Sequence, residues 1–341
     1  MPQAVLSSTS TSKRAEVSKG FFFGLGGTLI ALLALYFGLI YFQLGVPTRA
    51  SIWAYEINQK KLQRAASIQQ PKLLLVGGSA TLFGVQAELI ESRLNYPTIN
   101  LGTHAGLGSA YMLHLVRQAA KPGDTVVLAF EYNTFGSGVV RRDAVYVDYL
   151  FARDPKYFLA LPWTSKFQVA MLMTMPRLRK GVRNRFRPES TQLAPGVYDP
   201  NELDAHGDQL GNEARNRPVK RDHRYVSEGA LTLRGLKEAP AFELIAEFVR
   251  WARANNIRVF ATYPNILEHP AYRTSAAKET LGQVEEFYKR LQVPMIGSFE
   301  QSMMPPSMFF DTCYHMTREG AAIRTERLIP HLAAILNRER K

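Results

Sequence analysis

The segment FFDTCYHMTREGA, residues 309–321, places Asp311 and His315 four residues apart, just ahead of an apolar-patterned C-terminal stretch. A histidine acting as general base needs one ring nitrogen on the nucleophile and the other held by an acceptor. That acceptor is usually a carboxylate, which fixes the tautomer and stabilises the imidazolium. An Asp and a His on one short turn meet this need locally, although the spacing also suits a surface ion pair or a cap, with Thr317 as an N-cap. Far upstream, KLLLVGGSATLFG, residues 72–84, ends an apolar run on two glycines and Ser79. Alone, Ser79 reads as a helix N-cap or as a nucleophile. Taken with Asp311 and His315 it completes a candidate triad in the order Ser, Asp, His, and the chemistry is acyl transfer through an acyl-serine.

Such a serine also needs donors where negative charge develops. Gly102 in TINLGTHAG offers an unhindered backbone N–H, and Asn133 in VVLAFEYNTF offers a side-chain amide. In isolation they read as a turn glycine and a loop-capping asparagine. Tyr263 and Asn265 in ATYPN are candidates for substrate contact. His104, His114 and His206 stand alone and read as structural or solvated. The sequence has no Gly-x-x-x-x-Gly-Lys phosphate loop, no Gly-x-Gly-x-x-Gly after a strand and no paired His or Cys ligand set. No cofactor and no metal are therefore expected.

These residues require strands that end in one place. Apolar runs predict strands near Lys72–Gly77, Thr98–Leu101, Asp124–Phe130, Arg258–Thr262 and Pro294–Gly297. Helical spacing of apolar residues marks VQAELIESRLN, SAYMLHLVRQAAK, PAFELIAEFVRWARANN and AAKETLGQVEEFYKRLQ, with a linker helix around Ser51–Ser67 and a final helix from Arg318 to about Arg338. Alternating β and α elements predict an α/β fold, a three-layer sandwich with a mostly parallel sheet. In such sheets ligands gather at the carboxyl ends of the strands, where Ser79, Gly102 and Asn133 fall. Between the third and fourth strands, about Gly136–Leu236, the rhythm breaks. This insertion is expected above the carboxyl edge as a substrate groove or lid, or else as a peripheral subdomain resting on the core.

Residues 20–48 contain FFFGLGGTLIALLALYFGLIYFQL, which at about 1.5 Å per residue exceeds a hydrocarbon core of roughly 30 Å. A transmembrane anchor is expected there, long for a cleavable signal and without a small-x-small site after it. Lys13, Arg14 and Lys19 against Glu16 favour a cytoplasmic tail over residues 1–19, while Arg49, Lys60, Lys61 and Arg64 pull the other way. Residues 49–70 then form the linker and residues 71–341 the α/β domain. The single Cys313 excludes an intrachain disulfide framework. The formal net charge of +13 invites a nucleic-acid partner, but much of it is local: Arg177, Arg179, Lys180, Arg183, Arg185 and Arg187 directly follow the apolar FQVAMLMTMP. That arrangement suits an anionic lipid surface or an acidic polymer better than a nucleic-acid groove; a solvated face is the plain alternative.

The four blocks, GGSA with Ser79, NLGTHAG with Gly102, EYN with Asn133 and DTCYH with Asp311 and His315, resemble those of the SGNH hydrolases of GDSL type, over about Lys72–Leu336 with the insertion between. The resemblance implies Ser79 as nucleophile, Gly102 and Asn133 as oxyanion donors, and Asp311 and His315 as the rest of the triad. Gly78 stands where the name-giving motif has Asp, FEYNTF replaces Gly-x-Asn-Asp, and Asp311 precedes His315 by four residues where the family usually shows three. An N-terminal span, a middle insertion and this ending resemble membrane-anchored members that act on cell-envelope polymers, such as the D-alanine transfer protein of teichoic acid synthesis and the alginate O-acetylation proteins. By that likeness the chain is expected at a bacterial inner membrane with its domain on the periplasmic side, acting on an acylated polysaccharide beside a multi-pass membrane O-acyltransferase. Two other readings stand: a non-catalytic scaffold for that partner, and a membrane-surface lipid esterase.

Overall fold

A computed structural model describes residues 9–136, 138–193, 195–218 and 239–336, with side chains from residue 21 onward. The first eight residues, the stretch 219–236 of the insertion and the end of the final helix beyond Leu336 lie outside the described residues. In chain order the elements begin with α1 (Thr9–Phe42), α2 (Ile52–Ser67), β1 (Leu73–Val76), α3 (Ser79–Gly84), α4 (Ala87–Leu94) and β2 (Thr98–Asn100). They continue with α5 (Gly108–Ala119), β3 (Thr125–Leu128), α6 (Tyr132–Phe135) and α7 (Ala144–Asp148), which runs into a π-turn over Tyr149–Arg153. The insertion carries α8 (Pro155–Ala160), α9 (Trp163–Met171) and α10 (Met175–Phe186). After it come α11 (Pro240–Ala254), β4 (Arg258–Thr262), β5 (Ile266–Leu267), α12 (Ser275–Arg290), β6 (Met295–Ile296), α13 (Phe299–Ser302), β7 (Met303–Met304) and α14 (Arg318–Leu336).

Five strands form one sheet in the order β2-β1-β3-β4-β6, every neighbouring pair parallel. All four β1 residues are buried, because side chains alternate between two covered faces. Leu74, Val76, Val126 and Leu128 pack with Val116 of α5 and Phe248 of α11. Leu73, Leu75 and Val127 pack with Ile90 of α4 and Leu332 of α14. The α/β architecture with a parallel sheet is thus as expected from the alternation of elements. Because β2 lies on one side of β1 and β3 on the other, the chain reverses direction at β1, and a crevice opens at the carboxyl ends there.

A second, two-stranded parallel pair, β5 with β7, was not foreseen. It anchors the segment that carries Asp311 and His315: Leu267 N–H donates to Cys313 O at 3.1 Å, and Asn265 Nδ2 donates to Tyr314 O at 2.7 Å.

The insertion does two things where one was expected. Its helices α7–α10 gather with Ile40 of α1, Ala54 of α2 and Tyr111 of α5 into a separate apolar cluster containing Tyr146, Phe151, Phe158 and Val169. Residues 196–217 then cross back over the sheet edge. Asn100 N–H donates to His206 O, Asn212 Nδ2 donates to Met316 O, and Arg318 N–H donates to Asn212 O. Arg177 also departs from expectation. It is buried rather than part of a basic surface, paired to Asp148 Oδ1 at 2.5 Å and donating to Gln43 Oε1 and Val46 O. A buried guanidinium needs such partners, since leaving either charge alone in the interior costs several kcal/mol, on the order of 3–5.

The N-terminal helix has one stretch long and apolar enough to cross a membrane, Phe21–Phe42, shorter than the expected 20–48 because the helix ends at Phe42 and the chain turns. Its apolar window is only 6% buried.

Candidate active site

The serine turn is built by backbone packing. A Cβ on Gly78 would lie 2.4 Å and 2.6 Å from the two carboxylate oxygens of Glu131, so a side chain there would push that carboxylate aside. That carboxylate, buried at the end of β3, accepts from Gly78 N–H at 3.0 Å and Ala80 N–H at 2.8 Å. The N–H groups flanking Ser79 are therefore fixed by one side chain from the neighbouring strand. Burial raises the Glu131 carboxyl above its ordinary range, against the downward pull of those N–H donors and of nearby His315. Ser79 itself is half-buried as the first residue of α3. Its own N–H has no hydrogen-bond partner among the described residues.

Asp311 and His315 sit on a tight loop closed by the Phe309–Met316 bridge and by Phe310 N–H donating to His315 O at 2.7 Å. Thr312 Oγ1 accepts from His315 N–H at 3.1 Å, and Thr317 Oγ1 accepts from Gly320 N–H, capping α14 as its position suggested. On this loop His315 Nδ1 and Asp311 Oδ1 are 2.8 Å apart. Tyr198, from the returning strap of the insertion, donates its hydroxyl to Asp311 Oδ2 at 3.0 Å. Burial works to raise the Asp311 carboxyl, but the bonds and charge of His315 and the Tyr198 hydroxyl hold it below the usual carboxylate range. The other imidazole nitrogen, Nε2, is left for a nucleophile.

Phe83 joins the two halves. Its ring stacks on the His315 ring, centroids 4.3 Å apart and planes 18° apart. Ser79 and Phe83 are four residues apart on α3, hence neighbours on one helix face at about 5–6 Å between Cβ atoms. The imidazole thus has Phe83 against one face, and its charge acts on the Glu131 carboxyl that holds the serine turn. Among the described residues no hydrogen bond joins Ser79 to His315; such contacts are often long before substrate binds.

The other expected residues divide. Gly102 lies at the end of β2 against α3, where a Cβ would stand 2.2 Å from Leu82 N. Its N–H, however, donates to Asn100 Oδ1 at 2.9 Å, and its carbonyl accepts from the buried Lys61 ammonium. Asn133 is exposed on α6, just past β3. Asn265 is buried, and its carboxamide fills the space beside Gly84 while bonding Tyr314 O, so it ties the end of α3 to the histidine loop. Tyr263 turns toward α12, its hydroxyl donating to Glu285 Oε1 at 2.5 Å and its ring packing on Phe299. Burial explains that orientation, since a buried phenol seeks an acceptor.

Glu131, Phe83 and Tyr198 were not singled out in the sequence. Phe83 carried a signal in its four-residue spacing from Ser79, and Glu131 in its place two residues before Asn133; Tyr198 carried none. His104 is also closer to the chemistry than a lone histidine suggests. Its Nδ1 accepts from Gly106 N–H at 3.0 Å, its ring meets Trp53, and burial together with the charge of His315 favours the neutral form against Asp143. His114 and His206 belong elsewhere, beside Asp154 and beside Glu91 and Asp204.

Comparison of the chain with protein-family models and with curated proteins finds no match. What the site can do chemically therefore rests on its geometry: an oriented imidazole, a serine held by fixed N–H groups, and an aromatic wall.

Proposed function

We propose that the chain is a membrane-anchored serine acyltransferase or esterase of SGNH type, acting through an acyl-serine on an acylated cell-surface polysaccharide. The observation that carries the reading is the Asp311–His315 pair at 2.8 Å, stacked on Phe83 one helical turn from Ser79. His315, oriented by Asp311, takes the Ser79 proton as Oγ attacks an ester carbonyl. The tetrahedral oxyanion forms beside the Ser79 N–H, with Asn133 as a further donor once substrate is bound. His315 then returns the proton to the leaving alcohol, and a sugar hydroxyl or water resolves the acyl-enzyme. At position 78 the chain departs from the GDSL pattern. The Glu131 carboxylate occupies the space that a side chain at 78 would take. With α1 in a bacterial inner membrane, the domain works on the periplasmic side beside a multi-pass O-acyltransferase that delivers the acyl group.

A non-catalytic scaffold is the second reading, favoured by one observation: the Gly102 N–H is committed to Asn100 rather than turned to the crevice. Ser79→Ala in cells separates the two. Loss of polymer acylation by about 10³-fold or more is the expected outcome for a nucleophile, and unchanged acylation with normal protein levels is the outcome for a scaffold.

A further inference from the structure

The helical lobe of the insertion is seated on the last turns of α1. Tyr36 Oη donates to Ala170 O at 3.1 Å, the Phe37 ring lies 6.0 Å from that of Phe167, and the Phe42 ring lies 6.0 Å from that of Phe186. Phe37 precedes the end of the apolar stretch by five residues, about 7.5 Å along a helix axis. The helix α9 therefore runs beside apolar length of α1 that a bilayer would cover, not beyond it.

Leu159, Trp163, Phe167 and Met171 recur every four residues along α8 and α9, and Met175 continues the series at the start of α10. All are between 49% and 75% exposed, and Phe186 is 73% exposed. Six large exposed apolar side chains on helices that pack against a membrane-length helix are not left to water. A cleft of about 740 Å³ opens between α1 and α10, with Leu39, Met175 and Leu178 on its apolar wall and Arg179, Lys180 and Arg183 on its rim. Arg183 is partnered by Glu189 at 2.5 Å, so Arg179 and Lys180 give the rim its excess charge. Apolar depth under a basic rim matches a phospholipid with an anionic headgroup.

We propose that the α8–α10 lobe is a membrane-seated collar. The stripe from Leu159 to Met175 enters the leaflet that α1 leaves, and Arg179 and Lys180 hold anionic phospholipid headgroups at its edge. This rests on α1 crossing the bilayer and is independent of the chemistry at Ser79.

The test uses the full chain reconstituted in vesicles of phosphatidylcholine and phosphatidylglycerol, read by tryptophan fluorescence with acyl chains brominated on one lipid at a time. The protein has three tryptophans, and Trp53 and Trp251 serve as the background revealed by Trp163→Phe. Expected are quenching by brominated chains that is lost in Trp163→Phe, and stronger quenching from brominated phosphatidylglycerol than from the phosphatidylcholine. Arg179→Gln and Lys180→Gln should each lower that preference by about fivefold. Absence of Trp163 quenching in protein that resists carbonate extraction overturns the collar, and would mean that a protein partner covers the face. Protein released by carbonate overturns it as well, by removing the span on which it depends.

Discussion

Asp311 accepts from two directions, His315 on one oxygen and Tyr198 on the other, and this double engagement has a consequence in pH. Its carboxyl is held below the usual range in the fold, whereas in the unfolded chain it titrates near 3.9. The stabilisation it gives is therefore fully present above about pH 4 and is lost as pH falls through the lower folded value. Asp311→Asn should narrow the difference in urea midpoint between pH 7 and pH 3, and should lower kcat by about 10⁴-fold through loss of imidazole orientation. A variant with the wild-type acid profile would place Asp311 outside the network. At this scale much was readable in advance. Asp311 and His315 needed only a tight turn, and Ser79 only a strand end. Tyr198 was not readable, because it arrives from more than a hundred residues away on a strap with no periodic pattern.

Among the elements, the junction of β1 and β3 matters most, since the parallel register sets Val76 beside Leu128 and brings Glu131 to the serine turn. Glutamine at 131 keeps the volume but offers one acceptor where two N–H groups need one each. Glu131→Gln should cost about 1–3 kcal/mol of stability from the unsatisfied donor. It should also reduce kcat by about 10²-fold with KM nearly unchanged, because the nucleophile shifts while the binding surface does not. Equal loss in kcat and KM, rescued by no conservative change, would indicate a merely structural role. The five strands of the main sheet were legible from their apolar runs, each within a residue or two. β5 and β7 were not, because strands of two residues have no alternation to detect, yet they hold the histidine loop.

The whole molecule joins an apolar N-terminal helix, a helical lobe and an α/β core, with Arg177 and Asp148 pinning the lobe to the foot of α1. Sequence pattern marked the break in the strand–helix rhythm but not the insertion's division into lobe and strap. Both parts are defined by contacts between segments roughly a hundred residues apart. The site likewise depends on that assembly, since Tyr198 comes from the insertion, Phe83 from the core and His315 from the last loop. The most direct measurement is to treat the full-length protein in membranes with a fluorophosphonate and map the adduct by mass spectrometry. Modification confined to Ser79, and lost in His315→Ala, is the result predicted by an activated serine in this arrangement. Modification at another residue, or at Ser79 with undiminished rate in His315→Ala, would contradict it.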